Sequence, residues 1–302
     1  MRRSIVLGVL ILTGALSAYS GPALVLAMGL ARQQAAQAPK VVEVEKVKDN
    51  LFMLKGGGGN TAVFVTAGGV VVVDAKNPGW GQPILDKIQE LTPKPVTLLI
   101  NTHTHGDHVS GNVAFPATVD IVVQENTKTN MEKMSIFKEN AGRGMAKRTF
   151  KDTMTIGSGK DRVDLYYFGR GHTNGDAWVV FPDLRVAHAG DIFSAKGLPL
   201  LDMNNGGSGV DIGDSLAKAH AGIKNVDTII PGHSTLMTWT DLAEFAQFNK
   251  DFLSDVQAAM KAGKTADEVA ASWKPADKYK GYNVQDARLK TNAAALYAEI
   301  KK

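Results

Sequence analysis

The sequence predicts an α/β protein in which two β-sheets pack against each other and helices cover their outer faces. Short apolar runs typical of strands occur in two successions, and each succession is accompanied by segments with helical periodicity. Hydrophobic residues make up 44% of the 302 residues, which suffices for a large buried core. No short repeat or low-complexity linker divides the chain. We therefore predict one domain over residues 39–302, with a helical C-terminal part.

Residues 1–38 differ in character from the rest of the chain. Met1-Arg2-Arg3 precedes the uncharged run Ser4–Ala31, and a basic start before an apolar stretch is the pattern of a secretory signal. Small residues suited to cleavage occur at Gly29-Leu30-Ala31 and at Ala36-Gln37-Ala38. An uncleaved membrane anchor is the alternative, because about 20 apolar residues suffice to span a bilayer. Both interpretations predict an exported protein, periplasmic or extracellular, that contacts a membrane only through this segment.

Composition excludes several classes of site and partner. The chain has no cysteine, so any metal site must be built from imidazole and carboxylate groups. The net charge of +4 includes Arg2, Arg3 and Arg32 of residues 1–38, which contain no acidic residue, so the remainder carries only +1. That balance gives no support for the basic patch of a nucleic-acid-binding protein. We expect no nucleic-acid partner, and the oligomeric state stays open.

The first succession of predicted strands is interrupted in sequence by one amphipathic helix, Ile84–Leu91. Its predicted strands are Val41–Val47, Leu51–Leu54, Ala62–Thr66, Val70–Val73, Val96–Ile100 and Val119–Val123, followed by a polar helix over Glu125–Asn140. Val41–Val47 alternates apolar and charged residues and Val70–Val73 is continuous valine, and both patterns are typical of strands. The turn Gly56–Asn60 is either a mobile hairpin tip with a function or a plain flexible turn.

The second succession is followed by the helices that close the chain. Its predicted strands are Val163–Phe168, Ala177–Phe181, Arg185–Ala189 and Thr228–Ile230. The predicted helices are Asp214–Lys224, Asp241–Met260, Ala266–Trp273 and Ala287–Ile300. Each strand in this half is flanked by a glycine-containing polar cluster, so we expect functional residues at the strand ends.

The segment His103-Thr104-His105-Gly106-Asp107-His108 follows the strand Val96–Ile100 and predicts a metal site. His103 and His105 are two residues apart, so in extended backbone their side chains project to the same side and can share one ion. Gly106 permits a tight turn, after which Asp107 and His108 can face an adjacent site. Three of the 7 histidines lie in this one segment.

His172, Asp191 and His233 complete the predicted site. Each is a metal-capable residue close to a glycine at the edge of an apolar strand, and strand ends that converge at one edge bring distant residues together. The two other histidines are not assigned to metal. His188 lies in a strand and is a second-layer or core residue, and we expect His220 to be solvated on a helix.

The H-x-H-x-D-H segment, followed in order by His172, Asp191 and His233, resembles the metallo-β-lactamase-fold hydrolase superfamily over roughly Val41–Leu242. The resemblance implies an αββα four-layer sandwich with mixed sheets and outer helices. It also implies that one metal is held by His103, His105 and His172, and a second by Asp107, His108 and His233, with Asp191 bridging both. Two Zn²⁺ ions per chain are expected, although imidazole and carboxylate also suit iron and manganese.

The resemblance further implies a hydrolase in which a metal-bound hydroxide attacks the carbonyl of a small acyl substrate: a β-lactam, lactone, ester or thioester. The catalytic residues would be His103, His105, His108 and Asp107, with Asp107 orienting the nucleophile and passing on its proton. The best-known zinc β-lactamases carry a cysteine where this chain has Asp191. An aspartate there is more similar to glyoxalase II and the lactonases, although no segment matches a glutathione-binding domain.

Two other functions are weighed against this hydrolase. A single-iron oxidoreductase of the same fold, similar to sulfur dioxygenases, would use a subset of the ligands. A binding protein without catalysis is disfavoured, because every ligand position is filled. On the substrate side, Lys196 either meets a substrate carboxylate or is an ordinary surface lysine. Asn204 and Asn205 begin a flexible polar loop. We expect this loop and the glycine turn to select the substrate only weakly, so that several classes of acyl compound are accepted.

Overall fold

The computed structural model describes residues 40–301, and the predicted signal or anchor in residues 1–38 lies outside them. Two mixed β-sheets stack face to face, and helices pack on the outer face of each sheet. This is the predicted αββα arrangement, which the structure confirms. Between residues 40 and 301, no helix combines the length and the apolar character that crossing a membrane requires.

The first sheet contains, within residues 40–301, seven strands in chain order. They are β1 (Glu43–Lys48), β2 (Leu51–Lys55), β3 (Thr61–Thr66), β4 (Gly69–Val73), β5 (Val96–Ile100), β6 (Asp120–Gln124) and β7 (Arg148–Phe150). Neighbours from β1 to β4 are antiparallel, and those from β4 to β7 are parallel. The carboxyl ends of β4, β5 and β6 therefore lie at the same edge of the sheet.

The second sheet, again among the described residues, contains six strands in the order β13-β12-β11-β10-β9-β8. They are β8 (Thr153–Ile156), β9 (Val163–Tyr166), β10 (Trp178–Phe181), β11 (Val186–Gly190), β12 (Thr228–Pro231) and β13 (Met237–Thr238). Only β11 and β12 pair in parallel, so their carboxyl ends meet at one edge. Asp191 and His233 follow these two strands directly.

The helices belong to two outer layers. They are α1 (Gly81–Leu91), α2 (Gly106–Val109), α3 (Glu125–Met131), α4 (Ser135–Glu139), α5 (Ile212–Gly222), α6 (Trp239–Lys261), α7 (Ala266–Ser272) and α8 (Asp286–Ile300). The first four pack with the first sheet, and the last four pack together on the second sheet.

The valine run of β4 shows why the sandwich forms. Val71 and Val73 are buried between the two sheets, whereas Val70 and Val72 are buried on the opposite face, against α1. Alternate side chains of a strand point to opposite faces, so a strand covered on both faces needs an apolar residue at every position. The continuous valines therefore fit a central strand between a helix layer and a second sheet.

Several elements differ from the sequence-based expectation. The strands β7, β8 and β13 are not predicted, because they are at most four residues long and at least half of their residues are polar. The single polar helix expected over Glu125–Asn140 is wrong, since residues 132–134 separate α3 from α4. His220 lies on a helix, as expected, and its half-buried ring stacks on Trp239 with centroids 5.4 Å apart.

Candidate metal centre

The predicted ligands meet at the shared edge of the two sheets. Strand β5 ends at Ile100 and leads into the segment that carries His103, His105, Asp107 and His108. From the second sheet, Asp191 follows β11, His233 follows β12 by two residues, and His172 lies in the connection between β9 and β10. The structure thus brings all seven sequence-predicted metal ligands to one place, although they span positions 103 to 233.

The side chains form two groups in which all candidate ligand atoms lie within 4.8 Å of one another. The three-histidine group consists of His103, His105 and His172, and the Asp-His-His group consists of Asp107, His108 and His233. In the first, His172 Nε2 lies 2.9 Å from His105 Nδ1. In the second, His233 Nε2 lies 3.1 Å from Asp107 Oδ2 and 3.4 Å from His108 Nε2.

Asp191 lies between the two groups. Its Oδ2 is 3.3 Å from His233 Nε2 and 3.8 Å from His172 Nε2, and its Oδ1 is 3.4 Å from His108 Nε2. It also belongs to the same ligand cluster as the three-histidine group. The Asp191 carboxylate is therefore placed where it could contact an ion held by the three-histidine group and an ion held by the Asp-His-His group.

In three of these histidines, an oxygen atom accepts a hydrogen bond from the outer ring nitrogen, which points away from the centre. His105 Nε2 is 2.7 Å from Asp202 Oδ2, and His172 Nδ1 is 2.7 Å from the Leu200 carbonyl. His108 Nδ1 is 2.7 Å from Asp74 Oδ2. These oxygens accept hydrogen bonds, so each of these nitrogens is the donor, and the other ring nitrogen faces the centre, where it can bind a metal ion in its deprotonated form.

The outer nitrogen of His103 also has a hydrogen-bond acceptor, which is the hydroxyl oxygen of Thr102. The Thr102 hydroxyl donates to Asp74 Oδ2 at 2.7 Å, so its oxygen accepts from His103 Nδ1, 3.0 Å away. His103 Nε2 is then left as a buried atom without a hydrogen-bond partner, and so is Asp191 Oδ1. Buried polar atoms without partners are costly.

These observations test whether the site suits metal ions. With neutral imidazoles, lone pairs on His105 Nδ1 and His172 Nε2 face each other at 2.9 Å, and such an arrangement repels unless a cation joins them. A cation would also satisfy His103 Nε2 and Asp191 Oδ1. Imidazole and carboxylate groups are ordinary ligands of zinc and similar divalent metals. The residues present therefore fit two metal ions.

The two groups differ in their pKa values. Burial lowers the pKa of His103 well below the ordinary value and lowers that of His172 to about 4. Hydrogen bonds to Asp107 and Asp191 raise the pKa of His233 to about 9. Burial alone would lower the pKa of His108, but the carboxylates of Asp191 and Asp74 hold it well above its ordinary value.

Three further residues of the site are not predicted from the sequence. Asp74 and Asp202 hold His108 and His105 as described, and Asp74 also accepts from the Thr102 backbone N–H at 2.8 Å. Lys76 is fully buried, and its ammonium donates to the carbonyls of Leu54 and Gly59 at 2.9 and 2.7 Å. Burial lowers the pKa of Lys76 to about 8. The local signal for Asp74 and Lys76 is that charged residues follow the apolar strand β4, whereas Asp202 directly follows no strand.

The glycine turn packs against the metal centre. A Cβ at Gly59 would lie 2.2 Å from the His108 ring, and a Cβ at Gly57 would lie 2.0 Å from the Trp80 ring. The Gly59 N–H donates to the Asp107 carbonyl at 3.1 Å. Next to it, the Asn60 side chain donates to the Pro231 carbonyl at 2.8 Å, two residues before His233. The glycines therefore permit close approach of backbone to the ligands.

The predicted substrate residues lie around the same edge. Lys196 Nζ pairs with Asp241 at 2.6 Å and with Glu244 at 3.4 Å, so two carboxylates already neutralise its charge. Asn205 donates from its side chain to Asp202 at 2.6 Å, and the Asn204 N–H donates to the same carboxylate at 3.0 Å. Both asparagines thus support the residue that holds His105, and their role toward substrate stays a prediction.

His188 proves to be a core residue behind the site. It is fully buried, with Nε2 3.1 Å from the Asn60 carbonyl. Its Nδ1 accepts from the Gly190 N–H at 3.1 Å. The residue therefore ties the glycine turn of the first sheet to the end of β11, next to Asp191.

An αββα sandwich with a histidine and aspartate cluster at the shared sheet edge defines a class of metal-dependent hydrolases, and the sequence comparisons give the family. A family model described as the metallo-beta-lactamase superfamily matches residues 54–233. The metallo-beta-lactamase type 2 of Elizabethkingia meningoseptica is 30% identical over 253 residues, which are 80% of this chain and 96% of that relative. The chain therefore belongs to the metallo-beta-lactamase superfamily and is a hydrolase of that superfamily.

Other relatives match smaller parts or the fold alone. A hydroxyacylglutathione hydrolase of Crocosphaera subtropica is 26% identical over 159 residues, covering 51% of this chain and 52% of that relative, about half of its length. A sec-alkylsulfatase structure from Pseudomonas sp. has a TM-score of 0.71 at 16% identity, over 86% of this chain and 50% of that chain. A metallo-beta-lactamase structure from Pontibacter korlensis has a TM-score of 0.59 at 19% identity, over 68% and 99%.

Proposed function

We propose that the protein is an exported dinuclear zinc hydrolase that cleaves a small acyl substrate, such as a β-lactam, lactone, ester or thioester. One observation carries this proposal. Two complete sets of ligands meet at Asp191, and the imidazoles of His103, His105, His108 and His172 are held by their outer nitrogens so that their other ring nitrogens face the centre.

The residues would divide between two ions. The three-histidine group would hold one ion, the Asp-His-His group would hold the other, and Asp191 would contact both. Two divalent ions at such a site supply Lewis acidity and lower the pKa of a water molecule toward about 7. The single-iron alternative leaves the Asp-His-His group without an ion, although its three ligand atoms are clustered as closely as those of the first group.

Asp107 is suited to handle the proton of the attacking water. Its side chain is 28% exposed, so it faces the side from which a substrate enters. Burial alone would raise the pKa of Asp107, but the hydrogen bond from His233 and the charge of His108 lower it. The carboxylate is therefore ionised at neutral pH, and it accepts the proton and passes it to the departing atom.

The substrate range follows from the ligand set and the relatives. Two relatives are named for β-lactams and for hydroxyacylglutathione, and hydrolysis of either substrate is an attack on a carbonyl carbon. Bound metal ions would supply a nucleophile for any accessible carbonyl, so residues around the edge would select the substrate. The exported location rests on residues 1–38 and is tested by finding the mature chain outside the cytoplasm after cell fractionation.

Metal analysis combined with a substrate panel tests the proposed function. Protein purified without added metal is assayed for zinc, iron and manganese, and in parallel for hydrolysis of a chromogenic β-lactam, a lactone, an ester and a thioester. We expect two zinc ions per chain and hydrolysis of at least one substrate. His220→Gln removes a histidine outside the centre and serves as the control, with unchanged metal content. One iron per chain without hydrolysis would favour the oxidoreductase.

A further inference from the structure

A small cavity opens beside the metal centre, between the segment that follows Asp191 and the C-terminal helix α8. Its volume is about 140 Å³, and its polar lining includes Ser194, Lys196, Asn283, Gln285 and Arg288. The Ser194 carbonyl accepts from the His233 N–H at 3.1 Å, so the wall of the cavity continues into the metal ligands. Liquid water occupies about 30 Å³ per molecule, so the cavity has room for a small polar group such as a carboxylate.

The C-terminal segment is a fixed wall of this cavity. The Asn283 N–H donates to the Lys196 carbonyl at 3.0 Å, and Gly197 and Asn283 form an isolated parallel β-bridge. Arg288 follows in the first turn of α8. These backbone contacts hold the start of α8 against the segment that begins with Asp191.

The two cations of the cavity differ in their partners. Lys196 pairs with Asp241 and Glu244. Arg288 is half-buried, and within residues 40–301 no hydrogen bond and no ion pair engages its guanidinium. Arg288 lines the same cavity as Ser194, whose carbonyl accepts from the His233 N–H, so the guanidinium lies on the side of the metal centre. A half-buried cation without a partner is unfavourable unless a ligand supplies the anion.

We propose that Arg288 binds a carboxylate, or a similar small anionic group, of the substrate while the acyl carbon lies at the metal centre. A guanidinium offers donors in a rigid fork that matches a carboxylate through two parallel hydrogen bonds. The substrate class is thereby narrowed to acyl compounds that carry a negative charge a short distance from the reacting carbonyl. This assignment rests on the proposed hydrolase function for its catalytic consequence, but not for the binding of the anion.

Paired esters test the catalytic consequence. The ratio of kcat/KM for mono-para-nitrophenyl glutarate over para-nitrophenyl acetate is measured in zinc-loaded wild type and in Arg288→Gln. A lost hydrogen bond to a charged group predicts that the ratio falls about 10- to 100-fold. Arg288→Lys keeps the charge without the fork, so its ratio should lie between the two. Lys290→Gln is the matched control, because Lys290 is exposed on the same helix and pairs with Asp267, and its ratio should equal that of wild type.

Direct binding separates this proposal from the hydrolase proposal. The zinc-loaded proteins are titrated calorimetrically with glutarate, and their zinc content and thermal unfolding are recorded. We expect the dissociation constant for glutarate to rise about 10-fold or more in Arg288→Gln, and not in Lys290→Gln. If wild type hydrolyses neither these esters nor any substrate of the earlier panel but this shift is seen, the hydrolase proposal fails and the anion site stands. An unchanged dissociation constant in both Arg288→Gln and Arg288→Lys overturns the anion site, whatever the ester assays show.

Discussion

The three-histidine group and the Asp-His-His group lie next to each other, but the pKa values of the buried His103 and His172 are shifted in the opposite direction to those of the histidines in the second group. His103 and His172 are deeply buried and their pKa values are lowered, that of His172 to about 4. His233 has a side chain that is 38% exposed, and its carboxylate neighbours raise its pKa to about 9. Metal ligands must be deprotonated. His103 and His172 can therefore bind an ion at neutral pH without losing a proton, whereas His108 and His233 must lose protons when an ion binds.

The difference in pKa values has a physical cause, which is the balance between desolvation and ion pairing in each group. The first group consists of three imidazoles, and desolvation lowers the pKa values of His103 and His172. The second contains Asp107 and lies close to both Asp191 and Asp74, so ion pairing dominates and keeps its histidines charged in the absence of metal. We expect the two sites to differ in affinity, in pH dependence and in sensitivity to substitution.

Asp191→Ala should have the largest effect, because this carboxylate contacts both groups. We expect hydrolysis of every substrate to fall together by about 100-fold or more, with less than two metal ions bound per chain. Activity on esters, lactones and β-lactams is measured together with metal content. A variant that keeps full activity, or loses activity on one substrate class only, would show that Asp191 is not shared by two ions.

Single substitutions in each group sharpen the comparison. His172→Ala should empty the three-histidine site while the other site stays partly filled, and His233→Ala should do the reverse. Both ligands lie on loops after strands of the second sheet, so the pair is matched in position. Metal content is measured after dialysis against a weak chelator. Unchanged metal content in His172→Ala would remove this residue from the ligand set.

Substitutions of the two supporting carboxylates should have smaller effects, which differ between the two variants. Asp74→Asn weakens the hydrogen bond that orients His108, and Asp202→Asn weakens the hydrogen bond that orients His105. Loss of such a partner costs about 10- to 100-fold in metal affinity. Asp74 is fully buried and also holds Thr102, whereas the Asp202 side chain is 15% exposed, so we expect the larger loss in Asp74→Asn. Because Thr102 connects Asp74 to His103 as well, Asp74→Asn should weaken both sites, whereas Asp202→Asn should weaken the three-histidine site alone. Affinity is measured by competition with a chromogenic chelator, and a loss of affinity in both sites from Asp202→Asn would contradict this expectation.

The ligands were predictable from the sequence because each follows a recognisable strand end. The valine run of β4 and the apolar run of β5 have lengths and compositions that local patterns show, and H-x-H-x-D-H is a compact motif. Asp74, Asp202 and Arg288 were not predictable in the same way. Asp202 acts on His105 from 97 residues away, and Arg288 enters the cavity from the last helix. Their roles depend on packing between distant segments, which leaves no periodic signal in the chain.

A metal titration at two pH values tests the central claim that the centre contains two unequal sites. Metal-free protein is titrated with zinc in competition with a chelator at pH 6 and at pH 8.5. Because the pKa of His233 is about 9 and that of His172 is about 4, protons compete for the Asp-His-His group across this range and do not compete for His172. We predict two ions per chain at both pH values, with the weaker step losing at least tenfold in affinity at pH 6 relative to the stronger step. Two steps that shift equally with pH, or a single ion per chain at pH 8.5, would contradict the account.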